Sequence, residues 1–456
     1  MRERPVTFDP AAPPSRVRRA LARLDASARR VALALATDRR VQWSVFAALL
    51  ALRCVALGQM VQMSGNRDGM SDESSLYLRH VQSAATEGLA NRYYQMAQVM
   101  WHAPLSYLFW MGTLSATNPT VHAGRVVALA IYGASALVWI FLVRLLFARG
   151  QRVVPAAVFW IAPTWHTIEV RAYGLFLLLV LTTTYLALVP LVARDVWTKL
   201  LALAGLAASM VLLPANHLYG FLGVGLIGIA GVGFVSCGRR IGAGYLLCTV
   251  IAIAASIPWM QKLDHDRRRL QPRVAAAMAE AKAAGPELDP ENTAQHWNAH
   301  QFSPSDVVGG QLLADLRINL VMATFAALAW ALWVRRGASY VVWALVAVVL
   351  SVSLRATLPQ VAALTWMARK GRAWRTWGAP WFVILLLGCF PALLRFPMFY
   401  ANYLTGYRVL PFLLFADLLR EPRWDWPGRI ALFHVVGMAL GLAHWMTSHA
   451  DGWMPL

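Results

Sequence analysis

Charge is scarce in this sequence. Only 14% of its 456 residues are Asp, Glu, Lys or Arg, where a soluble domain carries about a quarter. The deficit excludes a large water-facing surface and leaves hydrocarbon as the surround. Acidic residues are the scarcer sign, 22 against 42 Lys and Arg. The surplus of +20 suggests nucleic acid at first sight. The basic residues, however, fall in short clusters between apolar runs, as the positive-inside rule expects, so no nucleic-acid partner is expected. Four cysteines occur, Cys54, Cys237, Cys248 and Cys389. They lie in or beside apolar segments without paired spacing, which excludes a disulfide framework or a thiolate metal site and reads as buried thiols. No phosphate-cradling Gly-rich loop and no nucleophile elbow are found, so ATP-driven and serine-hydrolase chemistry have no support. The first apolar run begins near Val41, too far in for a cleavable signal peptide.

What is abundant is apolar sequence, 58% of the chain. Runs near 20 residues recur, the length that spans a hydrocarbon core of about 30 Å as helix, and they imply about 13 crossings. Backbone groups in lipid must be satisfied internally, so the fold class is all-α polytopic membrane protein. Residues 1–40 form a basic head. Within it Leu21, Leu24, Val31 and Leu35 alternate with Arg18, Arg19, Arg23, Arg29 and Arg30, which fits an amphipathic helix on an anionic cytoplasmic leaflet or a solvated tail. The first span runs from Val41 to Met60 and a later one from Arg125 to Phe147, with a long outer segment, 61–124, between them. Basic groups at Arg149/Arg152, Arg194/Lys199, Arg239/Arg240, Arg335/Arg336, Arg369–Arg375 and Arg420–Arg429 can all lie inside only if Trp101–Thr117 dips into the interface without crossing. A second polar stretch, 260–312, reads as an outer loop and candidate lid, and 313–456 as C-terminal transmembrane helices.

The candidate chemistry gathers on the outer face. Asp72-Glu73 follows the first span, where a carboxylate could serve as a general base; an acidic helix N-terminus is the plainer alternative. Glu169-Val170-Arg171-Ala172-Tyr173 precedes another span at the same face, where it could share a site with Asp72 or form a local ion pair. His102 stands before Pro104 and could contact a phosphate, Arg125 could bind an anionic headgroup, and Asn216-His217-Leu218-Tyr219 and Tyr407-Arg408 map to outer span ends, where Tyr and Arg also serve as anchors. His296 and His300, near Asp289 and Glu291, are better read as a solvated loop than a zinc site, and no metal site is expected.

The order of these pieces resembles the GT-C glycosyltransferase superfamily, in particular its polyprenyl-phosphate-dependent members of the protein O-mannosyltransferase and aminoarabinose transferase type. The matching elements are Asp72-Glu73, the His102–Tyr107 stretch, Arg125 opening and Arg144-Leu145-Leu146-Phe147 closing a span, Glu169/Arg171/Tyr173, His217-Leu218-Tyr219-Gly220, Pro258-Trp259, and Tyr407-Arg408-Val409-Leu410-Pro411. Two departures stand out: Ala103-Pro104 replaces the double proline of many relatives, and no soluble C-terminal domain follows. The resemblance implies a GT-C module over 41–259 with juxtamembrane helices in the first outer loop. It implies inverting transfer of a monosaccharide from a polyprenyl-phosphate carrier to a hydroxyl of a glycan, lipid or protein. Asp72, Glu73 and Glu169 would be catalytic; His102, Arg125, Arg171 and Arg408 would hold the donor phosphate; Tyr93, Tyr173, His217, Tyr219 and Tyr407 would contact substrate. No cofactor is required, and the chemistry leaves a divalent metal open. The implied setting is a bacterial inner membrane, N-terminus cytoplasmic and active site periplasmic. A secondary transporter or flippase is the alternative from another class.

Overall fold

A computed structural model describes residues 16–62, 104–115, 120–162, 164, 170, 172–217, 219–283, 362–363, 365–370, 378–389, 405–421 and 423–448. Every regular element among them is helical. Among the described residues, six helices are long and apolar enough to cross a membrane, and the protein is an all-α membrane protein. We label the principal helices α1 (Arg16–Thr37), α2 (Arg39–Gln62), α3 (Pro104–Ser115), α4 (Val121–Leu146), α5 (Ala172–Val192), α6 (Val196–Asn216), α7 (Gly220–Ser236), α8 (Ile241–Ala283), α9 (Ala379–Cys389), α10 (Pro411–Leu419) and α11 (Trp426–Ser448). Short helices occupy Val153–Ala157 and Thr405–Val409.

The hub is α5. Its sequence, AYGLFLLLVLTTTYLALVPLV, is apolar on every side, so no face of it prefers water and it is buried among other helices. It packs against α3, α4, α6, α7, α9 and the short helix Thr405–Val409. Close approach at one of these contacts depends on Gly406: a Cβ there would lie 2.9 Å from Val180 Cγ2 of α5. By contrast α6 and α8 leave Leu200, Leu201, Leu247 and Val250 more than half exposed, the surface that lipid covers.

Helix ends follow local chemistry. Thr120 caps α4, its hydroxyl accepting from the Ala123 amide at 3.1 Å. That cap starts the helix at Val121, so Arg125 lies a turn inside the span it was expected to open. Asp195 caps α6 through the Thr198 amide at 2.6 Å, and this amide contact holds its carboxyl below the usual range. Gly238, with φ of 71°, closes α7: the amides of Gly238 and Arg239 return to the carbonyls of Val235 and Phe234, both at 2.8 Å.

Two expectations change. Residues 260–283, written as the start of an outer loop, continue α8 as helix, because the stretch is rich in Ala, the best helix former. Of the cysteines, Cys248 and Cys389 are buried but Cys54 and Cys237 are exposed: on a membrane helix an apolar position can face lipid instead of a core. Helix α3 has 12 residues and rises about 18 Å, too little to cross the hydrocarbon core. Asp72, Glu73, Tyr93, His102, Glu169, Arg171, His296 and His300 lie outside the described residues, as does all of 284–361.

Several basic clusters meet at one end of the bundle, in an ionic network. Asp417 is fully buried and accepts from Trp366 Nε1 at 2.8 Å, Lys370 Nζ at 3.1 Å and Arg420 Nε at 2.5 Å. Arg369 grips the Asp425 carboxylate with two nitrogens and donates to the Leu418 carbonyl at 2.5 Å. Arg420 also reaches Gln151 Oε1 at 2.6 Å. The head is docked to the same place, Asp25 accepting from Trp424 Nε1 at 3.2 Å and Arg429 Nη2 at 3.4 Å, with Leu35 buried in the core. So α1 is helical, as its pattern predicts, and packs against α2 and α10 instead of trailing as a tail.

Burial pushes the Glu421 carboxyl up, but Lys370, bonded at 2.5 Å, with Arg369 and Arg423 nearby more than offsets it, and the pKa falls below 4.5. A carboxylate with a lowered folded-state pKa stabilises the fold above its ordinary value and loses that contribution as pH falls through the folded one. Thermal unfolding in detergent should show Tm dropping as pH falls below the ordinary carboxylate range, and Glu421→Gln should make that drop shallower while lowering Tm at pH 7.

Candidate functional site

At the opposite end from the ionic network, segments far apart in sequence converge. His217 follows α6 as its cap residue, is 9% exposed, and is ringed by aromatic groups. Its imidazole stacks on Tyr219 with centroids 5.4 Å apart, lies 5.4 Å from Phe176 and 6.4 Å from Tyr173. Phe176 then meets Tyr407 edge-on at 5.6 Å, and the Tyr407 hydroxyl donates to the Tyr219 carbonyl at 3.1 Å. The His217 Nδ1 accepts from the Tyr219 amide at 3.3 Å, which places the proton of the neutral ring on Nε2.

Small residues make this cluster possible. A Cβ on Gly223 would lie 2.6 Å from Tyr407 Oη, so only glycine on α7 lets that ring enter. Asn216 fixes the corner from below: its Nδ2 donates to the Ala172 carbonyl at 3.1 Å, at the start of α5. Its Oδ1 is buried with no hydrogen-bond partner among the described residues. A buried orphan acceptor costs about 1–3 kcal/mol, so it is a natural seat for a donor group of a ligand or water.

The corner continues towards Arg125. Gly124 packs directly beneath Val170, which is fully buried and lies two residues before Ala172. Arg125 is 6% exposed, and its Nη1 donates to the Met60 carbonyl at 3.0 Å. That carbonyl is among the last four of α2, which lack intrahelical donors, so Arg125 caps α2 and neutralises the negative end of its dipole. Arg408, half-buried, sits next to Tyr407 on the short helix Thr405–Val409. Tyr173, His217, Tyr219 and Tyr407 are thus brought together, and Arg125 is joined to them through Val170. Among the described residues, no three His, Cys, Asp or Glu side chains gather at metal-binding distance.

A polar site that the sequence reading passed over lies deeper. Arg53 interrupts the apolar run of α2, 14 residues and about 21 Å from the helix start. It is fully buried. Its Nε donates to the Tyr132 hydroxyl at 3.1 Å, its Nη2 donates to Thr164 Oγ1, and its guanidinium lies 5.2 Å from the Tyr132 ring centroid. Phe159 stacks on Tyr132 with ring centroids 5.3 Å apart. Ala162, Thr164 and Val170 are not helical; irregular backbone at membrane depth is tolerated only inside protein or beside water. The signal was available, since an arginine within a span is a functional candidate by default.

Comparison of the chain with families of known proteins, with characterised proteins and with solved structures returns no match. What the fold defines is a polytopic all-α membrane protein with a polar, aromatic-lined corner at one end of its bundle.

Two outcomes test this geometry. Tyr132→Phe should cost about 2 kcal/mol by removing an acceptor from a buried charge, and adding Arg53→Leu should restore part of the loss in detergent unfolding. Gly223→Ala should destabilise by about 1–3 kcal/mol through overpacking against Tyr407, read as a Tm decrease that Tyr407→Phe partly relieves by removing the clashing hydroxyl.

Proposed function

We propose that this protein is a membrane glycosyltransferase of GT-C type, with about 13 membrane helices, that moves a monosaccharide from a polyprenyl-phosphate carrier to an acceptor hydroxyl. The observation that carries the reading is the convergence of Tyr173, His217, Tyr219 and Tyr407 at one end of the bundle. These residues belong to three of the ordered elements on which the resemblance rests. Aromatic faces and a histidine N–H suit a sugar, whose C–H surfaces pack on rings and whose hydroxyls need partners.

In this reading Asp72 takes the proton of the attacking hydroxyl while the new bond forms at the anomeric carbon and the bond to the phosphate oxygen breaks. Inversion follows from the single displacement. Charge grows on the leaving polyprenyl phosphate, and His102, Arg171 and Arg408 stabilise it there. Glu73 and Glu169 support the base or position the acceptor, and Tyr93 adds to the substrate contacts. Arg125 contributes through the corner it holds and through charge near the phosphate. The leaving group is already a phosphate, so a divalent metal is not a strict requirement. The acceptor, a glycan, lipid or protein hydroxyl, enters from the outer face of a bacterial inner membrane.

A second reading, a secondary transporter or flippase, draws on Arg53, because a buried charge beside non-helical backbone at membrane depth is the arrangement of broken-helix transporters. The two readings part on chemistry. Purified protein offered a panel of polyprenyl-phosphate monosaccharides should release or transfer sugar from at least one, and Asp72→Asn should lower that turnover by at least about 100-fold with Tm unchanged. Equal turnover by the variant removes Asp72 as the base. No release from any donor, together with uptake of a labelled lipid-linked sugar into proteoliposomes, replaces the transferase with the transporter.

A further inference from the structure

Helix α4 carries an exposed apolar stripe along its outer side. Leu137 is 54% exposed, Ile140 38% and Phe141 38%, and their spacing puts them on one face. The stripe ends at Arg144, which is exposed in the last turn of the helix. There it runs into a cleft of about 270 Å³ lined by Phe141, Arg144, Leu145 and, from α5, Tyr185. The rings of Phe141 and Tyr185 lie 6.0 Å apart. Both helices are candidate membrane spans, so the cleft opens towards lipid.

The depth of the cleft is set by helix geometry. Arg144 is two residues from the end of α4 and Tyr185 seven from the end of α5, so at 1.5 Å per residue the cleft runs from about 3 to about 10 Å above those ends. That is the boundary between headgroups and acyl chains. The end concerned is the one carrying Arg149, Arg152 and the ionic network.

The charges there are not equivalent. Arg152 is committed to protein, its Nε donating to the Phe147 carbonyl at 2.9 Å and its Nη2 to the Arg144 carbonyl at 3.1 Å. The guanidinium of Arg144 makes no hydrogen bond or ion pair among the described residues. Among the described residues, no acidic side chain lines the cleft. A planar cation with its donors unspent, at interface depth in a cleft shared with two aromatic side chains, is complementary to a phosphodiester with an acyl chain attached.

We propose that this α4–α5 cleft is a binding site for one anionic phospholipid of the basic-cluster leaflet, its phosphate on Arg144 and one acyl chain along Phe141, Leu137 and Tyr185. The site lies at the opposite end of the bundle from the aromatic corner and is independent of the function proposed for that corner.

The test uses the full-length protein in detergent, titrated with phosphatidylglycerol or with phosphatidylcholine of the same chains, bound lipid being counted by native mass spectrometry. Wild type should retain phosphatidylglycerol in preference to phosphatidylcholine. Arg144→Gln should weaken phosphatidylglycerol binding about fivefold, the effect of one basic residue at a membrane surface, and leave phosphatidylcholine unchanged. Arg144→Lys should keep most of the preference, and Tyr185→Ala should weaken both lipids. Arg239→Gln, an exposed charge between α7 and α8, should bind as wild type does. Equal retention by wild type and Arg144→Gln, or equal loss in Arg144→Gln and Arg239→Gln, overturns the site.

Discussion

In hydrocarbon no water is available to a stray donor or acceptor, so each polar group below the interface must find its partner within the protein. Helix α5 meets this demand for its backbone by being continuous and, for its surface, by being enclosed. Arg53 meets it the hard way. Its charge cannot be shed, and a hydroxyl from α4, another from Thr164 and the face of Tyr132 are gathered around it. That requirement ties the middle of α2 to α4 and to Thr164.

The two ends of the bundle are held by different physics. At the basic end, carboxylates and cations interlock: Asp417, fully buried, is tolerable only because three donors surround it. The network joins α1, α10, α11 and residues 365–370, which are distant in sequence. At the other end the glue is aromatic packing with a few directed hydrogen bonds, and close approach is set by Gly223 and Gly406.

Much of the architecture was legible from composition and spacing. The α2 and α4 spans lie within a few residues of their expected limits, and the head is a helix as its arginine and leucine spacing indicated. Errors arose where lipid or local propensity changed the reading: exposed Cys54 and Cys237, and a helix that runs on through residues 260–283. Tyr173, His217, Tyr219 and Tyr407 were singled out by sequence and do meet. Arg53 was not, and the partners of Arg53 and Asn216, 79 and 44 residues away, were legible for neither, because a lone polar residue in a run shows its cost but not what satisfies it.

The sequence by itself determined the solvent. Scarce charge, recurrent apolar runs and basic clusters between them demand helices in a bilayer, because each of these is a local property that a partition free energy can read. Only the tertiary structure decided which residues meet: that Arg125 caps α2, that Asp25 holds the head to Trp424 and Arg429, and that one tyrosine from near the C-terminus enters beside His217. Such contacts depend on which helix faces abut and how closely glycine lets them approach, and neither is written in any single stretch of chain.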